Sequence, residues 1–136
     1  MRQWTTLFML LAAIAASGCG SDDTPTTPTE PTPVLVTESF SDSLNVNGLR
    51  VHTFEVSRAG TVSAQIKTLS DPAATVALSL GTWNGAACQI VISNPAAVLA
   101  TTVTGTAQAT GQFCVLLNDV GRLTTSVDYS VDISHY

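Results

Sequence analysis

The residues that could carry catalysis are few and far apart in the chain. The only histidines are His52 and His135, and the two best-placed carboxylates are Asp128 and Asp132, on one face of a predicted strand. Nucleophilic catalysis needs a Ser or Cys beside a positioned base, and no Gly-x-Ser-x-Gly turn occurs. His52 has the same parity along its strand as the apolar Phe54 and Val56, His135 lies where chain ends usually fray, and the two aspartates have the parity of a solvent face. The sequence therefore predicts that this protein is not an enzyme.

The start of the chain predicts export and lipidation. Arg2 precedes an unbroken apolar run at residues 7–16, about half of the roughly 20 residues that a membrane-spanning helix needs. The run ends in Ala-Ser-Gly at residues 16–18, followed by Cys19, and this order resembles the lipobox of bacterial lipoproteins. The resemblance implies cleavage before Cys19, a lipid on that Cys and, with Gly20 behind it, the outer membrane. The alternative is an ordinary secretory signal with an incidental Cys.

Residues 20–33 (GSDDTPTTPTEPTP) predict a tether between the lipid and a folded domain. Proline fixes φ and lacks a backbone donor, so this segment favours an extended chain that reaches up to roughly 45 Å. A docking ligand for a partner is the alternative, but no basic or aromatic anchors accompany the prolines. The predicted organisation is a signal peptide at 1–18, the lipidated Cys and tether at 19–33, and one domain at 34–136.

Charge and cofactor motifs exclude several classes of function. The chain has five Lys and Arg against ten Asp and Glu, and cleavage would remove Arg2 and change the net charge from −5 to −6. With no basic cluster, binding to nucleic acid is not expected. Glycine-rich phosphate loops, dinucleotide fingerprints and zinc-type Cys and His spacing are also missing, so we expect neither a cofactor nor a metal.

Cys88 and Cys114 remain once Cys19 is assigned to the lipid. A pair of cysteines in an exported chain favours a disulfide, because the compartments outside the cytoplasm are oxidising. Two buried free thiols are the alternative.

The rest of the chain predicts a β-sandwich of about eight strands, of jelly-roll or Greek-key type. Val62, Ala64 and Ile66 alternate with polar residues as in a half-buried strand, and a turn region at 81–87 leads into a further strand that carries Cys88, Ile90 and Ile92. We expect Asn94–Pro95 to break a strand, residues 98–104 to form a Thr-rich strand near a sheet edge, and the strand around Cys114 to be central.

Trp83 and Asn84 are the candidate ligand-binding residues. A regular strand would point Trp83 away from the face of Val76, Leu78 and Leu80, and an exposed Trp beside Asn84 could stack on a sugar ring. The alternative, which we favour, is that Gly81 introduces a bulge and that Trp83 packs on the core near the disulfide.

Several short stretches together resemble the bacterial pre-peptidase C-terminal domain. They are residues 52–56 (HTFEV), 59–62 (AGTV), 80–85 (LGTWNG), 113–115 (FCV) and 129–131 (YSV), and the similarity covers 38–134. This resemblance implies a β-sandwich like that of carbohydrate-binding modules, with an accessory role in secretion, solubility or substrate contact. Some of that family bind calcium, but no clustered acidic residues mark such a site here.

Together these expectations describe a lipid-anchored module of the cell envelope. Its leading ligand class is polysaccharide or peptidoglycan. The alternative is a structural or assembly role, in which the domain pairs with another envelope or exported protein.

Overall fold

The computed structural model describes residues 31–136, and all of its regular structure is β-strand. The signal peptide, Cys19 and nearly all of the predicted tether lie outside the described residues. The strands are β1 (Val36–Leu44), β2 (Leu49–Val56), β3 (Gly60–Leu69), β4 (Val76–Trp83), β5 (Cys88–Ala97), β6 (Thr102–Ala107), β7 (Gly111–Asn118) and β8 (Val127–His135).

The strands form two antiparallel sheets with the orders β1-β8-β3-β6 and β2-β7-β4-β5. Nearly every connection crosses from one sheet to the other, and β4–β5 is the one pair of consecutive strands within 31–136 that are neighbours in a sheet. This order is that of an eight-stranded jelly roll. The predicted fold class is therefore confirmed, and the strand order decides between its two variants.

The core lies between the sheets and is built by alternation along the strands. In β8, Val127, Tyr129, Val131, Ile133 and His135 are all buried, while the residues between them are exposed or half-buried. The predicted alternation of Val62, Ala64 and Ile66 in β3 is confirmed. Since successive side chains of a strand point to opposite faces, this pattern lets each sheet turn one apolar face inward.

The interior position of β7 is also confirmed. It lies between β2 and β4; Val115 and Leu117 face the core, and on the other face Cys114 is fully buried and Leu116 half-buried. The middle of the strand, residues 113–117, is thus apolar on both faces, and this is why its sequence lacks strict alternation.

Two predicted boundaries were wrong. Asn94–Pro95 does not end the strand, because β5 continues to Ala97. Pro95 is tolerated there because β5 is an edge strand and because the register of the β4–β5 pair shifts opposite it, between Val76 and Leu78. The predicted strand at 98–104 begins only at Thr102, although it is indeed an edge strand. Residues 98–101 form a turn with Ala100 in the left-handed region (φ 67°), and Thr101 N–H donates to the Val98 carbonyl at 3.0 Å.

Candidate binding site

Trp83 and Asn84, the predicted ligand-binding residues, lie at the end of β4 and in the turn that follows. Trp83 is half-buried and pairs with Cys88 across the β4–β5 ladder. The Asn84 side-chain oxygen accepts N–H bonds from Ala86 (2.9 Å) and Ala87 (2.8 Å). Asn84 thus shapes the turn, and Trp83 is neither a core residue nor a fully exposed platform. Their role in ligand binding stays a prediction.

The predicted disulfide joins Cys88 of β5 to Cys114 of β7, although β4 lies between these strands in the sheet. In a flat sheet, two strands flanking a third are about 10 Å apart, whereas the two Cα atoms here are 5.8 Å apart. The start of β5 therefore bends over the outer face of β4, and the disulfide holds it there.

Gly81 makes this bend possible. A Cβ atom at Gly81 would overlap the carbonyl oxygen of Gln89 and lie 2.7 Å from its carbonyl carbon. The ladder also changes register here: Leu80 pairs with Ile92 and Gly81 pairs with Ile90, so Val91 has no partner on β4. The expected irregularity at Gly81 is present, but the extra residue lies on β5. The reason for the glycine is a close backbone approach.

An apolar cleft of about 410 Å³ lies where the edge strands β5 and β6 face each other across the sandwich. One wall comes from the first sheet and includes Val62 and Gly105; the other comes from the second sheet and includes Leu80, Ile92 and Phe113. The β6–β7 loop, residues 108–110, also lines the cleft. We call these two edge strands, the cleft and this loop the β5/β6 side. The volume of the cleft is within the range of ligand-binding pockets in proteins.

The β5 strand exposes three consecutive apolar residues beside the cleft. Ile90 is 53% exposed, Val91 77% and Ile92 39%. Val91 and Ile92 also line the cleft, so the exposed strand and the cavity form one surface. Exposed apolar residues are ordinary when they are scattered, but a contiguous group at a sheet edge marks an interaction surface.

This part of the chain also lacks charge. No Asp, Glu, Lys, Arg or His occurs between Asp71 and Asp119, a stretch that contains all of β4, β5, β6 and β7. Charged side chains are the usual means by which a protein keeps its sheet edges from pairing with other chains. The β5/β6 side has none.

The opposite side of the sandwich, formed by edge strands β1 and β2, carries many polar contacts; we call it the β1/β2 side. Arg50 Nε lies 3.0 Å from Asp42 Oδ2, and His135 Nε2 lies 2.9 Å from Glu38 Oε1. Ser39 donates to Asp132 at 2.6 Å. These contacts tie the edge strands to their neighbours.

His52 is part of the same side. Its Nε2 lies 2.7 Å from the Tyr129 hydroxyl, and its ring stacks on Phe40 at 4.9 Å between ring centroids. Burial lowers the pKa of His52 below its ordinary value of 6.5, and burial likewise raises the pKa of Tyr129. This hydrogen bond joins β2 of one sheet to β8 of the other, so His52 and Tyr129 have a structural role.

The other residues considered for catalysis also have structural partners. His135 is buried in β8 and packs against Phe54, so the expectation that it lies in a frayed end was wrong. Asp132 accepts the Ser39 hydroxyl, while Asp128 is exposed and contacts its neighbours through its backbone. Neither histidine is hydrogen-bonded to a Ser or Cys side chain: His52 meets the Tyr129 hydroxyl, and His135 meets Glu38.

Within residues 31–136, no three His, Cys, Asp or Glu side chains are grouped so as to hold a metal ion. In the same part of the chain, no helix has the length and apolar character needed to cross a membrane.

The sequence reasoning missed the β5/β6 side. It placed Ile90 and Ile92 on a strand without identifying them as exposed, and both are exposed. The available signal was the run Ile90-Val91-Ile92, which does not alternate between apolar and polar residues, in a long stretch without charge. Hydrophobic residues are normally assigned to the core, and only the strand order shows that β5 is an edge.

Comparison with known proteins supports the fold and goes no further. No family model and no curated protein matches the chain. Among solved structures, it is similar to the Yersinia pseudotuberculosis-derived mitogen, with 12% identity, a TM-score of 0.59, and 76% of this chain and 88% of that chain covered. It is also similar to the Aeromonas hydrophila periplasmic inhibitor of g-type lysozyme, with 14% identity, a TM-score of 0.51, and 72% and 84% covered.

Proposed function

We propose that this chain is a non-catalytic, lipid-anchored protein of the cell envelope, in the outer membrane, whose β-sandwich binds a protein through the β5/β6 side. The observation that carries the proposal is the continuous apolar surface formed by Ile90, Val91 and Ile92 with the cleft beside them. The anchor itself rests on the lipobox resemblance at Cys19, and the tether at 19–33 gives the domain its reach.

The chemistry of this surface favours a protein over a sugar. A sugar site needs an aromatic platform with polar groups around it, but Trp83 is half-buried and the Asn84 oxygen is engaged in its turn. An uncharged apolar cleft with exposed aliphatic residues instead suits aliphatic or aromatic side chains of a protein. Polysaccharide or peptidoglycan near Trp83 remains the second candidate, because that side chain keeps part of its surface accessible.

Bound proteins would meet β5 through side chains. The register shifts in the β4–β5 pair and Pro95 interrupt the regular backbone of this edge, and such features hinder the addition of another strand. The exposed side chains of Ile90 to Ile92 are unaffected by this interruption.

A co-purification experiment on the tagged full chain tests the protein-binding proposal. Envelope proteins solubilised in mild detergent are captured by the wild type and by Val91→Lys, with Leu49→Lys as the matched control. Leu49 is 57% exposed on β2, the other edge strand of the same sheet. We expect a partner that Val91→Lys loses and Leu49→Lys keeps. Retention on insoluble polysaccharide or cell wall that Trp83→Ala abolishes would instead support the sugar site.

The anchor is tested separately by acyl-chain labelling. We expect label on the full chain and none on Cys19→Ala. Equal labelling of the two would contradict lipidation at this residue.

A further inference from the structure

We propose that the partner of the β5/β6 side is a second copy of this chain, and that two copies pack these sides together around a two-fold axis near Val91. This inference rests on the proposed function and names its partner.

The charge distribution favours contact between two copies at this side. Residues 34–136 have seven Asp and Glu against four Lys and Arg, so two copies of the domain carry net charge of the same sign and repel each other. The β5/β6 side belongs to the stretch between Asp71 and Asp119 that has no charged residue. Two copies can therefore approach there without placing like charges in contact.

The exposed part of β5 is also self-complementary. Residues 89–93 read Gln-Ile-Val-Ile-Ser, with a polar residue at each end and Val91 at the centre. Two such strands that run antiparallel across a two-fold axis place Ile90 against Ile92 of the second copy, and Val91 against its own equivalent. An isologous interface needs this kind of symmetry in one patch.

The β5/β6 side lies away from the strand at which the chain enters the domain. The chain enters the domain at β1, which lies at the far edge of the first sheet from β6. Within residues 31–136, the entry strand thus leaves the β5/β6 side uncovered. Lipid anchors in one membrane would also raise the effective concentration of the copies relative to each other.

The shape of β5 and the symmetry of the contact limit the assembly to two copies. Because register shifts and Pro95 interrupt its backbone, the contact is made by side chains and does not extend the sheet. A two-fold contact of one patch with itself also uses up that patch, so the assembly stops at two copies.

The test is photo-crosslinking in the membrane. Two differently tagged copies of the full chain are produced together, both with a photoreactive amino acid at position 91, and in a matched control both carry it at position 49. We expect a product with both tags, at twice the mass of one chain, from position 91, and at least a tenfold weaker one from position 49.

The outcomes separate this inference from the proposed function. A product from position 91 that contains only a different protein would overturn the second copy and leave protein binding at this side intact. No product from position 91, or equal doubly tagged products from both positions, would overturn the two-fold contact. Adding Val91→Lys to one tagged copy, with the photoreactive residue moved to Gln89, should remove most of the doubly tagged product.

Discussion

The two open sides of this sandwich are stabilised by different kinds of interaction. On the β1/β2 side, the strands are joined by contacts between polar side chains: the Arg50–Asp42 pair, the His135–Glu38 pair and the hydrogen bond between His52 and Tyr129. On the β5/β6 side, a disulfide and a close backbone contact at Gly81 keep β5 against β4. The first arrangement uses charged groups that also keep other chains away, whereas the second leaves apolar side chains exposed. A sheet edge can thus be stable and still be available for binding.

The largest expected effect comes from Gly81→Ala. The added methyl group would collide with the backbone of Gln89, and backbone cannot move away as a side chain does. We expect a loss of about 4 kcal/mol or more in the free energy of unfolding, with little folded protein recovered. The control is Gly105→Ala, whose Cβ would meet only Ile92 Cγ2 at an ordinary 3.7 Å. Urea unfolding of both variants measures this, and similar stabilities would contradict the close approach.

Removal of the disulfide should have the next largest effect. In the chain-entropy model, a bridge across 26 residues contributes about 3.5 kcal/mol. We expect Cys88→Ala combined with Cys114→Ala to lose about this much stability. Amide exchange should also quicken at the start of β5 while β1 stays unchanged. A loss below about 1 kcal/mol would show that the bend of β5 over β4 is stable without the bridge.

The pH dependence of stability should come from the β1/β2 side, since the β5/β6 side has no titratable group. The pKa of His52 is lower in the folded protein than its ordinary 6.5, because burial disfavours the charged imidazole. The unfolded chain therefore binds the proton more readily, and stability is fully present above about pH 6.5 and falls as the pH drops through the folded pKa. In His52→Gln, the decrease in melting temperature between pH 7.5 and 5.5 should be smaller than in the wild type. An unchanged decrease would exclude His52 as its source.

A second loss is expected at more acidic pH. Asp119 accepts backbone N–H bonds from Asn47, Arg122 and Leu123, and these hold its pKa below its usual value. Its contribution is present above the ordinary Asp pKa and is lost as the pH falls through the lowered one. Asp119→Asn should remove this acidic part of the pH profile and leave the His52 part. Unfolding curves of the wild type and of Asp119→Asn, recorded at several pH values from 2 to 5, would show this difference in stability.

The smallest effects on stability belong to the exposed residues of the two edges. In purified protein diluted until it is monomeric, Val91→Lys and Leu49→Lys should each change the free energy of unfolding by less than about 0.5 kcal/mol, because both side chains then face solvent. Equal stabilities make any difference in binding between them attributable to the surface. A large loss in Val91→Lys alone would mean that this residue supports the fold.

The sequence predicted most of the fold and little of the candidate site. Period-two alternation, as at Val62, Ala64 and Ile66, reports which face of a strand is buried, and it was enough for the fold class and for the core. The disulfide followed from the leftover pair Cys88 and Cys114. These signals are local, or they follow from simple counting.

The site depends on relations that are not local. The edge position of β5 follows from the order of all four strands in its sheet. The close approach of Gly81 to the backbone of Gln89 follows from the bend of β5, which the disulfide to Cys114 holds in place. Ile90 and Ile92 were therefore assigned to a strand but not to an exposed edge, and His135 to a loose end although β1 and Phe54 hold it in place. Each error came from a contact made by a distant segment.

The most direct test of the central claim compares amide exchange on the two edges within the envelope. Hydrogen–deuterium exchange is measured on the tagged full chain in native membranes, and again after purification and high dilution in detergent. We predict that residues 89–93 and 102–107 exchange at least severalfold more slowly in the membranes, while 49–53 exchange at the same rate in both samples. Equal rates for β5 in both samples, or protection confined to β2, would contradict the assignment of the β5/β6 side as the binding surface.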